Sequence, residues 1–489
     1  MEKTKPRFLN NLTTEVTQDI QGVKLCAYLV ALEGWRRGLE LKFYKDETKV
    51  CKLHRLNSST HGKFFSLSSE AKTHYFFRSR GDEVSNKSVR ICQNKEETKK
   101  MLQKSSVPIP LGEEFDINQE EKVINYAESI GYPVVLKPLS GSMGRGVYMG
   151  INNKNELLDA MHDARSTLHY KKYLLEKYYP GKEYRVYVVG DKVIGATNRI
   201  PANIKGNGKD TVEILIEKKN KQRKNNPYLA PKPIKVDFEV RNCLKKQGYQ
   251  MDSIPEKGET VFLREKSNLS SGGDPIEATE ELTEEVQEIA VNALKALPSI
   301  PHAGVDIIVD PEDNKKGVVL EINATAEISF HTFPLIGEAK DVPGAIVDYY
   351  FPETIGKEKT NLYFDYNSLL EPLQTWAAEE ILVSKPPIGK LYGKKYTVAG
   401  KVRKVGYMHW IKRQALRRNL LGFVNRAGKN RVDVLVISKD KEKVDQFIEQ
   451  CKKGSKRSRV DQVEEQEVNV DTLQPLKYGF EVILKGRSN

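Results

Sequence analysis

Apolar residues Leu25, Tyr28, Leu29, Leu32 and Trp35 recur at helical spacing in KLCAYLVALEGWRRGLELKFY, which predicts an amphipathic helix running into a strand at LELKFY. Asn94 is placed to cap a second helix, with Glu97 three residues on, and Pro108 and Pro110 stop it. A third, NQEEKVINYAESIGY, ends at Gly131. YPVVLKPLSGSMGRGVYMGI reads strand, glycine-rich turn, strand, followed by a helix (NELLDAMHDAR) and a strand (KYLLEKYYP). YRVYVVGDKVIGATNRI predicts a hairpin turning at Gly190 and Asp191. Beyond it the chain is looser and polar, and EKKNKQRKNN predicts a solvated loop. A helix in ELTEEVQEIAVNALKAL then precedes two strands, HAGVDIIVD and GVVLEINA.

The last hundred residues have their own order. Strand KYTVAGKV, helix MHWIKRQALRRNLL, strands GFVNR and RVDVLVIS, helix DKEKVDQFIEQCKKG and strands RVDQVEEQEV and YGFEVIL predict βαββαβ, a ferredoxin-like arrangement. The expected class is α/β (α+β), with units at 1–93, 94–353 and 390–489 and a connector at 354–389 bearing one helix.

With 489 residues, more than one domain is expected. Apolar content of 39% and charged content of 30% fit a soluble globular chain, and no apolar run is long enough to cross a bilayer. The start, MEKTKPRFLNNLTTEV, lacks the apolar core of a secretory signal, so a cytoplasmic location is expected. Cys26, Cys51, Cys92, Cys243 and Cys451 form no Cys-x-x-Cys pair, which argues against a zinc site or disulfide framework. The net charge is +13, yet Ile381 to Val432 holds fourteen basic residues and no acid, so the remainder is close to neutral. Only that stretch needs a polyanion explanation.

Gly141, Gly144 and Gly146 fit an ordinary hairpin turn when taken alone. Lys137 just before them adds a second reading, a loop whose N–H groups wrap triphosphate oxygens beside a lysine charge. Asp306 and Glu321 each sit among apolar neighbours on a strand, and Asn323 shares the face of Glu321. Such carboxylates need a positive partner, either a buried Lys or Arg or a pair of Mg²⁺ ions bridging nucleotide phosphates.

In this order, from about Lys95 to Glu353, the residues resemble the ATP-grasp superfamily. RIPANIKGNGKDTV, LREKSNLSSGGDPIEAT and HTFPLIGEAKDV are similar to the ATP-grasp parts of cyanophycin synthetases and bifunctional glutathione synthetases. The resemblance implies that Lys95 and Lys137 bind nucleotide, and that SGSMGRG, with Ser142, Gly144 and Gly146, is the phosphate-covering loop. It puts Glu176, Lys177 and the backbone near Tyr178 and Tyr179 at adenine, and Glu183 on ribose. Asp306, Glu321 and Asn323 become metal ligands, and Arg264 steadies the acyl phosphate. ATP and two Mg²⁺ ions, with Mn²⁺ able to replace them, are the implied cofactors. Amino acids or peptides with a carboxylate and an amine are the implied substrates, and a homo-oligomer the implied assembly. One departure stands on the substrate side: many members have a proline–glycine turn after the last metal-ligand asparagine, where this chain reads Asn323-Ala-Thr-Ala-Glu-Ile-Ser.

The tail, about Lys394 to Gly486, resembles an acylphosphatase domain, whose loop has the form V-Q-G-V-G-F-R. Here the catalytic arginine falls on Met408. The family's strand-end asparagine falls on Arg426, with Asn425 one residue early and so on the other strand face. The expectation is a retained fold without hydrolase activity, in which Arg403, Lys404 and Arg426 are candidates for a rebuilt anion site. The basic run then either grips an anionic peptide, carrier, polymer or RNA, or is a solvated face docked on the ATP-grasp domain. The expected function is an ATP- and Mg²⁺-dependent carboxylate–amine ligase. The alternatives are a bifunctional ligase and phosphohydrolase, or a non-catalytic ATP sensor.

Overall fold

The helix Val23–Arg36 forms where the periodicity places it, but it is buried on every side from Leu25 to Arg36. The computed structural model describes residues 7–484 apart from 10, 46–52, 54–61, 140–145, 169 and 474. The helix lies between a five-stranded sheet and the helix Val342–Tyr350. That sheet runs Glu380–Val383, Glu40–Tyr44, Phe64–Ser68, Thr73–Phe77, Arg80–Gly81, antiparallel throughout. Its first strand comes from 354–389, so this connecting segment is woven into the N-terminal sheet.

Two antiparallel sheets make the middle of the chain. One has four strands, in the order Gly112–Asp116, Lys172–Lys177, Val134–Pro138, Tyr148–Ile151, and shares a core with the helices Glu120–Ile130 and Lys154–Asp163. The other has five, in the order Asp274–Glu277, Lys192–Ile200, Lys182–Val189, His302–Val309, Gly317–Asn323, and the helix Glu284–Lys295 packs on it. Asn94 caps the helix Lys95–Lys104 by accepting from the N–H groups of Glu96 and Glu97. Gly131, at φ 76°, ends the helix Glu120–Ile130.

EKKNKQRKNN corrects the expectation of a solvated loop, because most of it lies in the helix Val212–Arg223. The charges that suggest solvation grip a buried acid: Lys219 Nζ lies 2.5 Å and Arg223 Nη1 3.0 Å from Asp274.

The tail has the sheet order Arg459–Val468, Tyr392–Lys401, Arg431–Ser438, Leu421–Arg426, as βαββαβ requires, with Phe480–Ile483 added parallel to the last. The helices Tyr407–Leu416 and Lys441–Lys453 cover one face, around Val424, Val434, Val436, Ile411 and Phe447. On the other face Leu421, Leu435 and Ile437 enter the same core as Trp35 and Phe364. The Tyr478 ring meets Trp35 edge-on at 5.5 Å, and Leu362–Tyr363 pairs in parallel with Leu476–Lys477. The tail therefore docks on the N-terminal unit through an apolar face.

Among the described residues no helix is long and apolar enough to cross a membrane. Cys26, Cys92, Cys243 and Cys451 are free thiols, and Cys51 lies outside the described residues.

Candidate active site

Period-two strand geometry and helical spacing place three lysines around one carboxylate. Glu176, 3% exposed, is held by Lys137 from the neighbouring strand and by Lys99 Nζ at 2.5 Å. Burial alone would raise the Glu176 carboxyl, but Lys137 and Lys99 outweigh it and hold the group below the usual range. Burial pushes the Lys99 ammonium down, against the pull of Glu176. Lys95 is lowered by burial and by Lys137, and is opposed by Glu321 and Glu176. Lys95 thus feels both sheets, and the lysine cluster faces the carboxylates of the five-stranded sheet.

Those carboxylates sit in a cross-strand row. Asp306 is opposite Arg185 on one neighbour and opposite Glu321 on the other. Arg185 Nη2 donates to Asp306 Oδ2 at 2.8 Å, and its Nε reaches Oδ1. Arg199 bridges Glu183 and Asp306, the latter at 3.3 Å. Arg185 also comes within 3.8 Å of Glu321, and Asn323 Nδ2 donates to Glu321 Oε1 at 2.9 Å. Burial would raise the Asp306 carboxyl, but the two arginines drive it well below the usual range. Gly304, opposite Asn323, leaves room for this: a Cβ there would lie 2.9 Å from both Ala326 Cβ and Arg185 Cδ.

The donor set suits a hard cation. Glu321, half-exposed, and Asn323 offer oxygens beside Asp306, and Mg²⁺ takes one or two carboxylates together with phosphate oxygens. Among the described residues no cluster of three His, Cys, Asp or Glu forms a metal cage, so any metal here would depend on a ligand to complete its shell.

The other candidates are placed as follows. Lys177 Nζ donates to the Gly131 and Tyr132 carbonyls, 3.0 Å each, and the Tyr178 N–H to Pro133 at 3.0 Å. Tyr179 is half-buried just beyond the strand, and Gly146 has φ 74°. Gly141, Ser142 and Gly144 lie outside the described residues. Arg264 is taken up by Asp237 at 2.6 Å, by Glu239 and by the Ser271 carbonyl, none of them another candidate. In the tail, Met408 is buried in the core, and Arg403 Nη1 donates to the Lys429 carbonyl at 3.1 Å. Lys404, at φ 57°, and Arg426 are exposed, and among the described residues the buried Asn425 Oδ1 has no hydrogen-bond partner.

Three residues that sequence reasoning missed belong to the site: Lys99, Arg185 and Arg199. The first two carried a signal. Lys99 is one helical turn after Lys95, and Arg185 is two residues after Glu183 on the same strand face.

Two family models match parts of the chain. Residues 94–200 match the family "Carbamoyl-phosphate synthase L chain, ATP binding domain", and residues 394–482 match "Acylphosphatase". Cyanophycin synthetase of Geminocystis herdmanii is 33% identical over 279 residues, which is 54% of this chain and 31% of that protein. The bifunctional glutathione biosynthesis protein of Clostridium perfringens is 30% identical over 358 residues, 70% of this chain and 43% of its own length. The crystal structure of a bifunctional glutathione synthetase from Pasteurella multocida is 28% identical, with a TM-score of 0.48, covering 62% of this chain and 41% of that one. The acylphosphatase from Bacillus subtilis is 26% identical with a TM-score of 0.17, covering 19% of this chain and 99% of that one. The chain spans about a third of the cyanophycin synthetase and under half of the glutathione proteins. It joins an ATP-grasp ligase region to a C-terminal acylphosphatase domain. The ATP-grasp region is homologous to cyanophycin synthetase and to the bifunctional glutathione biosynthesis protein.

Proposed function

We propose that this chain is an ADP-forming, ATP- and Mg²⁺-dependent ligase that joins a carboxylate to an amine as an amide or peptide bond. The observation that carries the reading is the opposition of two charged groups: Lys95, Lys99 and Lys137 around Glu176, facing Asp306, Glu321 and Asn323 with Arg185 and Arg199. Lys95 and Lys137 neutralise the phosphates, while Asp306, Glu321 and Asn323 hold magnesium. Bound Mg²⁺ supplies charge neutralisation on the transferring phosphoryl group. A substrate carboxylate oxygen takes the γ-phosphoryl and ADP leaves. The amine then displaces phosphate from the acyl phosphate, giving the amide. The names of the homologues favour amino acids or peptides as substrates.

The acylphosphatase-like tail does not hydrolyse the intermediate in this reading, since Met408 replaces the family's arginine and is committed to the core. It serves substrate or partner binding. The test is purified chain with ATP, Mg²⁺ and pools of amino acids and short peptides, following phosphate release and new masses. A new amide product, abolished in Glu321→Gln, is expected. ATP consumption without any new amide, unchanged in Glu321→Gln, sinks the reading.

A further inference from the structure

A cavity of about 450 Å³ opens in the N-terminal unit, and none of the candidate active-site residues lines it. Small-molecule sites span roughly 300–1,000 Å³. One wall is a stripe of the helix Val23–Arg36: Leu29, Leu32, Glu33 and Arg36, at helical spacing, face the cavity together. Leu9 and Leu12 close it from the segment before that helix, and Asp341 and Pro343 from the start of the helix Val342–Tyr350.

The charges on this wall are not equally matched. Glu33 is held by Arg37 and by Lys359, each at 2.8 Å. Asp341 caps its helix by accepting the Gly344 N–H at 2.8 Å. Arg36 is different. It is 5% exposed, and its Nε donates to the Leu362 carbonyl and its Nη2 to the Asn11 carbonyl, 2.9 Å each. Among the described residues its Nη1 has no partner, and no carboxylate pairs with the guanidinium. Burial lowers Arg36 from its ordinary value, opposed by Tyr28, Glu33 and Asp341, but a guanidinium keeps its proton in a protein. A buried cation that only carbonyls contact is costly, and a counter-anion in the cavity offsets that cost.

The same inventory selects the ligand. A neutral molecule leaves Arg36 without its anion. A dianion such as phosphate meets Glu33 and Asp341 on the same wall, and like charges repel. One carboxylate matches one open guanidinium edge, and the leucines take an apolar body. We infer that this cavity binds a small monocarboxylate with an apolar body, its carboxylate on Arg36 Nη1 and its body against Leu9, Leu12, Leu29 and Leu32. The site is separate from the ligase reading and does not rest on it.

The test is isothermal titration calorimetry of the full chain with hexanoate, benzoate and phenylacetate, with their primary amides, and with inorganic phosphate. It is run on the unaltered chain, on Arg36→Met and on Leu9→Trp, with the melting temperature of each recorded. At least one carboxylate is expected to bind, and its amide about ten- to a hundredfold more weakly, the range for losing a charge-assisted hydrogen bond. Arg36→Met loses carboxylate affinity by a similar factor and no longer separates acid from amide, which a merely loosened fold would not produce. Leu9→Trp, which fills the cavity from a half-buried position, abolishes binding at an unchanged or higher melting temperature, and it decides the matter where Arg36→Met does not fold. No binding of any of the carboxylates, amides or phosphate that bind as well as the acids, or affinity unmoved in Leu9→Trp overturns the inference. Amide synthesis with ATP, present or absent, moves none of these outcomes.

Discussion

Asp306 ties two guanidinium groups together inside the protein. Asp306→Asn leaves Arg185 and Arg199 facing each other with half their compensation gone. Breaking a buried pair from one side costs about 3–5 kcal/mol. Guanidinium unfolding of the variant is expected to show a loss of that size, whereas Glu321→Gln, at a half-exposed position, costs less than about 1 kcal/mol. Equal losses in the two would mean that Asp306 is not the electrostatic centre of the row. Asp306, Glu321 and Asn323 were legible in the sequence because a charge amid apolar strand residues is an anomaly that demands a partner. Taken singly such a carboxylate calls for a buried Lys or Arg, and taken as a set with the glycine loop and lysine it calls for magnesium; the structure places Arg185 and Arg199 against Asp306. Arg185 carries a faint signal, two residues after Glu183 on one strand face, while Arg199 reads as an ordinary polar position of a hairpin. Only the pairing of that hairpin with His302–Val309 turns them toward Asp306.

At the scale of elements, strand packing around the site has little slack. Gly304 sits where two strands and the turn after Asn323 converge, and an added Cβ meets Ala326 and Arg185. Gly304→Ala is expected to destabilise by about 1–3 kcal/mol, as overpacking does, and to displace Arg185 and the turn after Asn323. Denaturant titration checks this, and a variant with unchanged stability would show that the strand yields freely. Most elements were legible from periodicity and punctuation, as with Asn94 and Gly131. The helix Val212–Arg223 was not. Its Lys- and Asn-rich text looks solvated, and the acid that makes sense of it, Asp274, lies 55 residues beyond Lys219 and 51 beyond Arg223. The helix Val23–Arg36 shows the opposite failure. A stripe was visible, but the chain buries it on all sides, because helix, sheet and tail enclose it together.

In the whole molecule, the ligase-like region and the tail are not beads on a linker. Leu435, 4% exposed, lies on the tail's sheet but in the core that holds Trp35 and Phe364. Leu435→Ala is expected to cost about 2–5 kcal/mol and to lower the unfolding of the N-terminal unit along with that of the tail. The change in Trp35 fluorescence would move with the tail's signal during thermal unfolding. Separate transitions, with Trp35 unmoved, would show that the two units fold independently. The sequence correctly marked two families of fold but suggested a connector between them. The short strand Glu380–Val383 is too ordinary to announce that it completes a sheet begun at Glu40.

That strand has a consequence for how the protein is made. Glu40–Tyr44 leaves the ribosome long before Glu380–Val383 exists to pair with it, and Trp35 waits longer still for Tyr478. Contacts so distant in sequence form late. The segment that holds Trp35 and Glu40–Tyr44 is therefore completed only after the residues that follow it, and until then its apolar helix lacks the cover that the folded chain gives it.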